Sequence, residues 1–291
     1  MLMKNARAVC VCVGFALAAP ALGSGVTMTI TDDFESGANL GAWSYFGDPA
    51  NPIEVMETSG GNADGWLHAT CSGTACLDTF APHLRTQLGV DSAFTGDYRG
   101  RDVRSVGVDL RLDYVDFGAD GRPLAVVLLS DNGTPGDTTD DFWAYMLGEE
   151  NVPLVGEGWK SFEFQIDAQS TTLPAGWGIL AQGPNSPTNV DAAWNTVMQD
   201  VRQLGFFYGD PQNFFIFQQW EPGADNARIT EGVACPADIN GCGTVDAMDL
   251  GILLGSWGPG GGPADISGDG FVNAKDLATL LGSWGACPTS E

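Results

Sequence analysis

The chain has 291 residues, of which 44% are hydrophobic and 17% are charged. Its 37 acidic residues outnumber its 12 basic residues, which gives a formal net charge of −25 at pH 7. Nucleic acid and anionic membranes are disfavoured partners, because both repel a protein of this charge. The length suffices for one domain with a large core and a smaller second module.

Residues 1–23 have the pattern of a secretory signal peptide. Basic residues precede an apolar run from Ala8 to Leu22, and small residues stand at its end. The run is too short to be a good bilayer span, and no second hydrophobic stretch of membrane length follows. The sequence therefore predicts a secreted protein, extracellular or on the cell surface, without a membrane span.

Residues 24–230 have the pattern of a β-sandwich. Apolar and polar residues alternate over 106–114 and 159–166, which predicts two half-buried strands. The continuous apolar run 124–129 predicts a central strand. Three further strands are predicted over 142–147, 204–208 and 214–220, separated by turn-forming residues. Many short strands at this spacing indicate a mostly β fold of two packed sheets.

One helix is predicted within this domain, over residues 191–203. Asp191 is placed to cap its amino end. The helix would bury one apolar face, formed by Trp194, Val197, Met198 and Val201.

Short motifs stand at the two ends of the domain: Asp-Asp-Phe-Glu-Ser-Gly at 32–37, Gly-Ala-Trp at 41–43, and Gly-Ala-Asp-Asn-Ala-Arg-Ile at 223–229. They resemble the galactose-binding-like jelly rolls, which include carbohydrate-binding modules and laminin IV-type domains. The resemblance implies a jelly-roll sandwich. It also implies a structural calcium ion shared by a first-strand and a last-strand acid, here Glu35 and Asp225. The alternative is that both are ordinary surface acids.

Seven tryptophans in this domain make a sugar-binding surface conceivable, because sugar rings stack on exposed indoles. Most of them are expected in the core of a sandwich of this size. Trp177, within Leu-Pro-Ala-Gly-Trp-Gly, is least tied to a strand pattern. We therefore expect Trp177 to bind ligand in a long exposed loop that includes residues 182–187.

No catalytic motif is recognisable in the sequence, and no catalytic residue is nominated. The two histidines, His68 and His83, lack a metal-binding spacing, and nucleophile-elbow, phosphate-loop and zincin motifs are missing. A glycosidase needs only two suitably placed carboxylates, so composition does not exclude one. The prediction is a non-catalytic binding or adhesion protein for a polysaccharide or matrix component. The alternative is a polysaccharide-degrading hydrolase or lyase.

Five cysteines follow the signal peptide, and an exported protein favours disulfides. Cys71 and Cys76 bracket four residues, which predicts a local bridge. A bridge between Cys235 and Cys287 would close a long loop and contribute about 4 kcal/mol. Cys242 is then left over, unless it pairs with Cys235 or Cys287 itself.

The last sixty residues contain one short unit twice, with an offset of 27 residues. Each copy has oxygen-bearing side chains spaced as in a twelve-residue calcium loop, followed by an apolar run of helical spacing. The first loop offers Asp238, Asn240, Thr244, Asp246 and Asp249, and the second Asp265, Ser267, Asp269, the Phe271 carbonyl, Asn273 and Asp276. Two calcium ions are predicted. The first should bind more weakly, because Cys242 stands where the second loop has Asp269 and a thiol is a poor ligand for a hard cation.

This loop-then-helix duplication resembles the dockerin domain over residues 235–287, and we assign residues 231–291 to a small all-α module of that kind. The resemblance implies calcium-dependent docking to a cohesin-like partner. The contacting residues would be Ala247, Met248, Ala274 and Lys275. The alternative is a pair of repeats that closes on itself as a stable tail.

Overall fold

The structure is a computed structural model, and it describes residues 27–35, 39–46, 54–71, 76–181, 189–213, 215–232, 235–240, 242, 244–259, 262–267 and 270–287. The predicted signal peptide, the 182–187 loop and Asp269 lie outside these residues. The chain divides into two compact units, a larger one that ends at Ala234 and a smaller one over Cys235–Cys287. Each is described by itself.

The described part of the larger unit consists of strands and one helix. The elements are β1 Thr27–Asp32, β2 Trp43–Phe46, β3 Glu54–Glu57, β4 Trp66–Ala69, β5 Leu77–Thr79, β6 His83–Thr86, β7 Val103–Val115, β8 Pro123–Ser130, β9 Phe142–Asn151, β10 Lys160–Gln165, β11 Trp177–Ala181, α1 Val190–Gln199, β12 Gln203–Tyr208 and β13 Gln218–Gly232.

The strands form two antiparallel sheets. Sheet A has the order β10-β7-β13-β4-β3, and β1 and β5 also pair with β13. Sheet B has the order β11-β9-β8-β12-β6-β2. The chain crosses repeatedly between the sheets, so the fold is a mostly β sandwich, in agreement with the predicted jelly roll.

Strand alternation places the core between the sheets. Val106, Val108 and Leu110 of β7 are fully buried on one side, and Val126 and Leu128 of β8 are buried on the other. β8 lies between β9 and β12, which confirms the prediction of a central strand.

Several predicted element boundaries are wrong. The helix predicted over 191–203 ends at Gln199, so Val201 lies after it, buried and bridged to Gly96. Helix α1 begins at Val190 after Asn189, whose side-chain oxygen accepts the N–H groups of Asp191 and Ala192 at 3.1 Å, so Asn189 is the cap. Asp191 instead accepts the Leu173 N–H at 2.8 Å and ties the helix to a preceding loop. The strand predicted to start at 214 starts at Gln218, where pairing with β5 begins.

Both predicted disulfides are formed, Cys71–Cys76 and Cys235–Cys287, and Cys242 is free. The second bridge joins the first and last residues of the smaller unit. The described residues include no helix long and apolar enough to cross a membrane.

The smaller unit is a twofold-related pair of loop–helix repeats. Its elements are β14 Thr244–Val245, α2 Ala247–Gly255, β15 Gly258–Pro259, β16 Phe271–Val272, α3 Ala274–Gly282 and β17 Gly285–Ala286. β14 pairs with β17, and β15 pairs with β16, so each repeat's loop pairs with the end of the other repeat. The unit is therefore not purely α-helical, because these short ladders join the repeats.

The apolar residues of α2 and α3 are buried only in part, although their helical spacing predicts one buried face on each helix. Leu253 and Leu280 are fully buried. Leu254 and Leu281, which the apolar spacing placed with them, are each 52% exposed. Two short helices that pack against each other bury only a narrow face of each, so the residue next to each buried leucine remains exposed to solvent.

Candidate functional site

The outer face of sheet B carries a group of aromatic side chains over small residues. Residues alternate between the faces of a strand, so the neighbours of core residues point outward. Strand pairing aligns Tyr145, Val127, Gly205 and Arg85 in one row across four strands. The flanking rows contain Trp143, Leu129 and Gln203 on one side, and Leu147, Ala125, Phe207, His83 and Phe46 on the other.

Two glycines let aromatic rings lie flat on this face. A Cβ atom at Gly178 would overlap the Tyr145 ring, and a Cβ atom at Gly205 would overlap the His83 imidazole. Each ring therefore covers the backbone of a neighbouring strand instead of standing upright. Glycine is required at both positions by close approach, not by backbone conformation.

Three of the rings are neighbours through His83. The His83 ring lies 5.7 Å from the Phe207 ring and 6.3 Å from the Trp143 ring, measured between centroids. The Arg85 guanidinium lies 4.0 Å from the centroid of Phe46, which is 53% exposed. Trp143, Tyr145 and Phe207 are half-buried, so each offers part of a ring to solvent. We call these six residues the aromatic face.

Two nitrogens in the aromatic face have no hydrogen-bond partner within the described residues. They are Trp143 Nε1 and His83 Nε2, and both are shielded from solvent. Burial, with a smaller contribution from the charge of Arg85, lowers the pKa of His83 to about 3, so its imidazole is neutral at pH 7. An unsatisfied buried polar group costs about 1–3 kcal/mol. Other buried side-chain atoms of the sandwich also lack a hydrogen-bond partner within the described residues, among them Trp43 Nε1 and both polar atoms of the Gln218 side chain.

The expectation that Trp177 lies in an exposed ligand-binding loop is wrong. Trp177 begins β11 opposite Met146 and is only 8% exposed. Its indole packs against Trp194 of α1 at 4.9 Å, in the core. The tryptophan on the outer face of sheet B is Trp143, which precedes the buried Ala144 on β9.

Sheet A carries a comparable aromatic group, in which both indole nitrogens donate hydrogen bonds. The Trp66 ring lies over Gly223, with His68 stacked at 4.2 Å and the Arg111 guanidinium at 4.2 Å. Trp66 Nε1 donates to the Ser59 carbonyl at 3.0 Å, and Trp159 Nε1 donates to the Gly60 carbonyl at 3.3 Å. Through these two hydrogen bonds, the indoles hold the loop before β4 in place.

Three carboxylates surround His68 on the same sheet. Glu57 lies 3.2 Å from Nδ1, and Glu221 and Asp113 lie 3.3 and 4.0 Å from Nε2. Arg111 also holds Asp113 at 2.6 Å. These acids are engaged by cationic or titratable neighbours, which suits a structural network better than a hydrolytic acid–base pair.

The two predicted acids, Glu35 and Asp225, both accept hydrogen bonds from the backbone of the loop 62–65. Glu35 Oε1 accepts the N–H groups of Asp64 and Gly65 at 2.8 and 3.1 Å. Asp225 Oδ2 accepts the Asn62 N–H at 2.6 Å. Asp225 is fully buried, and burial together with the charges of Asp109 and Glu35 raises its pKa to about 6. A buried carboxyl with this many acidic neighbours is suited to a divalent cation.

The two loops of the smaller unit have matching hydrogen bonds. Asp249 accepts the Asn240 and Asp246 N–H groups at 3.0 and 2.8 Å, while Asp276 accepts those of Ser267 and Asn273, both at 2.8 Å. Both acids are buried and complete a capping box. Backbone hydrogen bonding, led by Asn273, lowers the pKa of Asp276.

The remaining ligand positions of the first loop turn toward Cys242. Its N–H donates to Asp238 and Asn240 at 3.0 and 2.9 Å, and its thiol lies 3.4 Å from the Thr244 carbonyl. In the second loop, Asp265 accepts the Gly270 N–H at 2.8 Å. Among the described residues, which leave out Asp269, no three acidic, histidine or cysteine side chains are arranged around a metal position.

The four residues nominated for partner contact, Ala247, Met248, Ala274 and Lys275, are all exposed. They begin α2 and α3. Two further apolar pairs are exposed at equivalent places in the repeats, namely Leu254 with Leu281 and Trp257 with Trp284.

No protein-family model matches the chain, and no characterised protein sequence matches it. Among solved structures, an exo-β-agarase is similar at 12% identity and a TM-score of 0.36, over 69% of this chain and 25% of that one. The Clostridium thermocellum family 11 carbohydrate-binding module, in complex with a β-1,3-1,4-mixed-linked tetrasaccharide, is similar at 14% identity and a TM-score of 0.34, over 72% and 96%. The C-terminal family 22 carbohydrate-binding module of Xyn10B from the same organism is similar at 9% identity and a TM-score of 0.33, over 73% of this chain and 98% of that one.

This chain thus spans about a quarter of the agarase chain that it resembles. With TM-scores below 0.5, these likenesses decide neither the fold nor the function, which rest on the strand pairing and side chains described above.

Proposed function

We propose that the protein is a non-catalytic polysaccharide-binding protein and that its glycan lies across the aromatic face of sheet B. One observation carries the proposal: the ring of Tyr145 is laid flat over Gly178, on the same face as half-exposed Trp143 and Phe207, with the buried His83 next to the last two rings. Pyranose rings present flat C–H surfaces that stack on such rings, while their hydroxyls need nearby polar groups.

A neutral glycan suits this face better than a polyuronate. The chain carries a net charge of −25, and the neutral His83 leaves Arg85 as the cationic side chain of the aromatic face. An acidic polymer would meet long-range repulsion that one guanidinium does not offset.

Affinity electrophoresis of the full chain tests the proposal, with gels containing mixed-linkage β-glucan, arabinoxylan, agarose or polygalacturonate. We expect retardation by at least one neutral polymer, and loss of about tenfold or more in affinity in Tyr145→Ala, which removes a stacking ring. The matched control is Tyr114→Ala, a tyrosine that is 41% exposed on β7 of sheet A.

Parallel assays of reducing-sugar release separate binding from turnover. Retardation without sugar release supports the proposal. Sugar release by the wild-type protein would instead establish the polysaccharide-degrading alternative, and equal losses in the two tyrosine variants would place the glycan elsewhere.

The smaller unit is proposed to bind calcium in both loops and to dock a cohesin-like partner. The twofold strand pairing, the matching capping boxes and the exposed positions 247, 248, 274 and 275 support this reading. A pull-down from the exported fraction of the source cell tests it. Calcium-dependent capture that is lost in a Met248→Asp/Lys275→Glu variant supports docking, and capture indifferent to both changes contradicts it.

We also propose a structural calcium ion at Glu35 and Asp225 and an extracellular location. The buried, acid-rich setting of Asp225 supports the ion, which would neutralise charge there. The two disulfides support an oxidising compartment. Detection of the mature chain in culture medium, beginning after residue 23, tests export.

A further inference from the structure

A small cavity lies beside one end of the aromatic face. It has a volume of about 190 Å³ and is formed by the loop after β6 and the residues between α1 and β12. Its lining includes Val90, Asp91, Gly96, Asp200, Val201 and Arg202. The volume is below the roughly 300–1,000 Å³ of pockets for drug-sized ligands, so the cavity admits one small unit.

The cavity adjoins the row of the aromatic face that contains Trp143. Strand pairing aligns Trp143 with Leu129, and Leu129 with Gln203. Arg202 immediately precedes Gln203, and its backbone N–H donates to the Leu129 carbonyl at 2.7 Å. One residue along a strand spans about 3.3 Å, so the cavity begins directly beyond the end of the Trp143 row.

The loop that forms one wall of the cavity is fixed by hydrogen bonds within the protein. Gly96 and Val201 exchange two backbone hydrogen bonds, at 2.7 and 2.9 Å. The Arg101 guanidinium donates to the backbone carbonyls of Ala93 and Thr95 in the same loop. Because the wall is already ordered, a ligand that enters the cavity loses little affinity to the cost of ordering it.

Arg202 offers hydrogen-bond donors to this cavity. Its side chain is 38% exposed, and two carboxylates hold it by charge: Asp131 lies 3.4 Å from Nε, and Asp200 lies 3.8 Å from Nη1. The structure describes no hydrogen bond from the guanidinium, and of its three nitrogens only Nε is closed to solvent. The two Nη groups are therefore the donors that a ligand can meet.

The charges around the cavity favour a neutral ligand that carries hydroxyl groups. Asp91, Asp131 and Asp200 outnumber the single cation, so a carboxylate or phosphate would be repelled. A metal ion would meet the guanidinium, and the described acids are not grouped in threes around a metal position. A hydroxyl both donates and accepts, so adjacent hydroxyls of one sugar ring match an arginine donor beside aspartate acceptors.

The geometry points to a binding site for the terminal sugar residue of the glycan, in which Arg202 donates to one ring hydroxyl and Asp200 and Asp91 accept from its neighbours. The inference rests on the proposed function, because this sugar is the end of the chain that crosses the aromatic face. Since the cavity admits one ring, it recognises a chain end, whereas the aromatic face binds the chain interior.

Isothermal calorimetry of the full chain tests the inference, with short oligosaccharides of mixed-linkage β-glucan, arabinoxylan and agarose as ligands. Each is used with its terminal residue free or O-methylated. Arg202→Met removes the donors, and Asp91→Ala removes an exposed acceptor. We expect each variant to lose about tenfold in affinity for the oligosaccharide that binds the wild type best, and terminal O-methylation to weaken wild-type binding by a similar factor.

The matched controls are Arg104→Met and Asp120→Ala. Arg104 is 31% exposed on β7 of sheet A and pairs with Asp102 at 2.8 Å, and Asp120 is exposed in the loop after β7. Both variants should bind each oligosaccharide as the wild type does. Thermal melts show whether loss of the Arg202 ion pairs unfolds the chain, and in that case Asp91→Ala and the O-methylated ligands decide.

The outcomes for the two proposals are distinguishable. If a folded Arg202→Met variant, or the wild type with an O-methylated ligand, keeps full affinity, the terminal-sugar site is overturned and binding on the aromatic face stands. Equal losses in Arg202→Met and Arg104→Met would overturn it as well. A wild-type chain that binds none of the polymers or oligosaccharides overturns both proposals.

Discussion

Asp225 combines complete burial with the nearby charges of Asp109 and Glu35. Its pKa of about 6 lies above the ordinary value of 3.8 for an aspartate, so the folded chain holds this proton more tightly than the unfolded chain. The associated stability is present below about pH 4 and is lost as pH rises through about 6. Above that range the buried carboxylate is charged and costs stability unless a cation neutralises it.

We predict that Asp225→Asn flattens this part of the pH dependence. Between pH 4 and pH 7, in chelator, the wild type should lose roughly 2 kcal/mol of stability relative to the variant. Calcium at pH 7 should restore the wild type and not the variant. Denaturant titrations with and without calcium measure both effects, and exposed Asp120→Asn is the control. Parallel pH profiles for wild type and Asp225→Asn would rule the account out.

Single residues also show where sequence reasoning stops. Trp177 follows Pro, Ala and Gly, which indicates a loop, yet it begins β11 and fills a gap beside Trp194. Trp143 stands in a segment correctly predicted as a strand. Which face of that strand is buried depends on the partners β8 and β11, so periodicity alone did not distinguish a core indole from an exposed one.

At the scale of elements, pairing of β11 with β9 positions Gly178 beneath Tyr145. A methyl group at Gly178 would force the ring away from the sheet. We predict that Gly178→Ala lowers glycan affinity about tenfold, with a smaller effect on the melting temperature. Affinity electrophoresis and thermal melts measure the two effects.

The control is Gly251→Ala in α2, where an added Cβ meets nothing within 4 Å. That variant should bind as the wild type does. Wild-type affinity in Gly178→Ala would show that the flat orientation of Tyr145 is unimportant for binding.

The calcium loops differ at one position, and a single exchange tests what that position does. Cys242→Asp gives the first loop the oxygen ligand that the second has in Asp269. We predict that it raises the calcium affinity of the weaker site about tenfold or more, because a carboxylate replaces a neutral thiol. Calorimetric titration of the chelator-treated full chain measures the change.

Two further variants assign the sites. Asp265→Ala should abolish the tighter wild-type site, and Asp238→Ala the weaker one. If Asp238→Ala removed the tighter site, the argument from Cys242 would be wrong.

At the scale of the whole molecule, local patterns were readable and distant pairings were not. The 27-residue repeat, the central strand β8 and the Cys71–Cys76 bridge depend on spacing within short stretches. The aromatic face draws on β2, β6, β9 and β12, which begin at Trp43, His83, Phe142 and Gln203 and meet only through sheet order. Likewise, β13 pairs with β1, β4, β5 and β7 through register shifts that no alternation pattern specifies.

Hydroxyl-radical footprinting of the full chain, with and without the neutral polysaccharide that retards it, tests the central claim most directly, because it reports oxidation of individual side chains. We predict that bound glycan protects Trp143, Tyr145 and Phe207 by severalfold and leaves Trp159 and Tyr114 unchanged. Protection confined to Trp159 and Tyr114, or to the repeats after Cys235, would contradict the assignment of the glycan to sheet B.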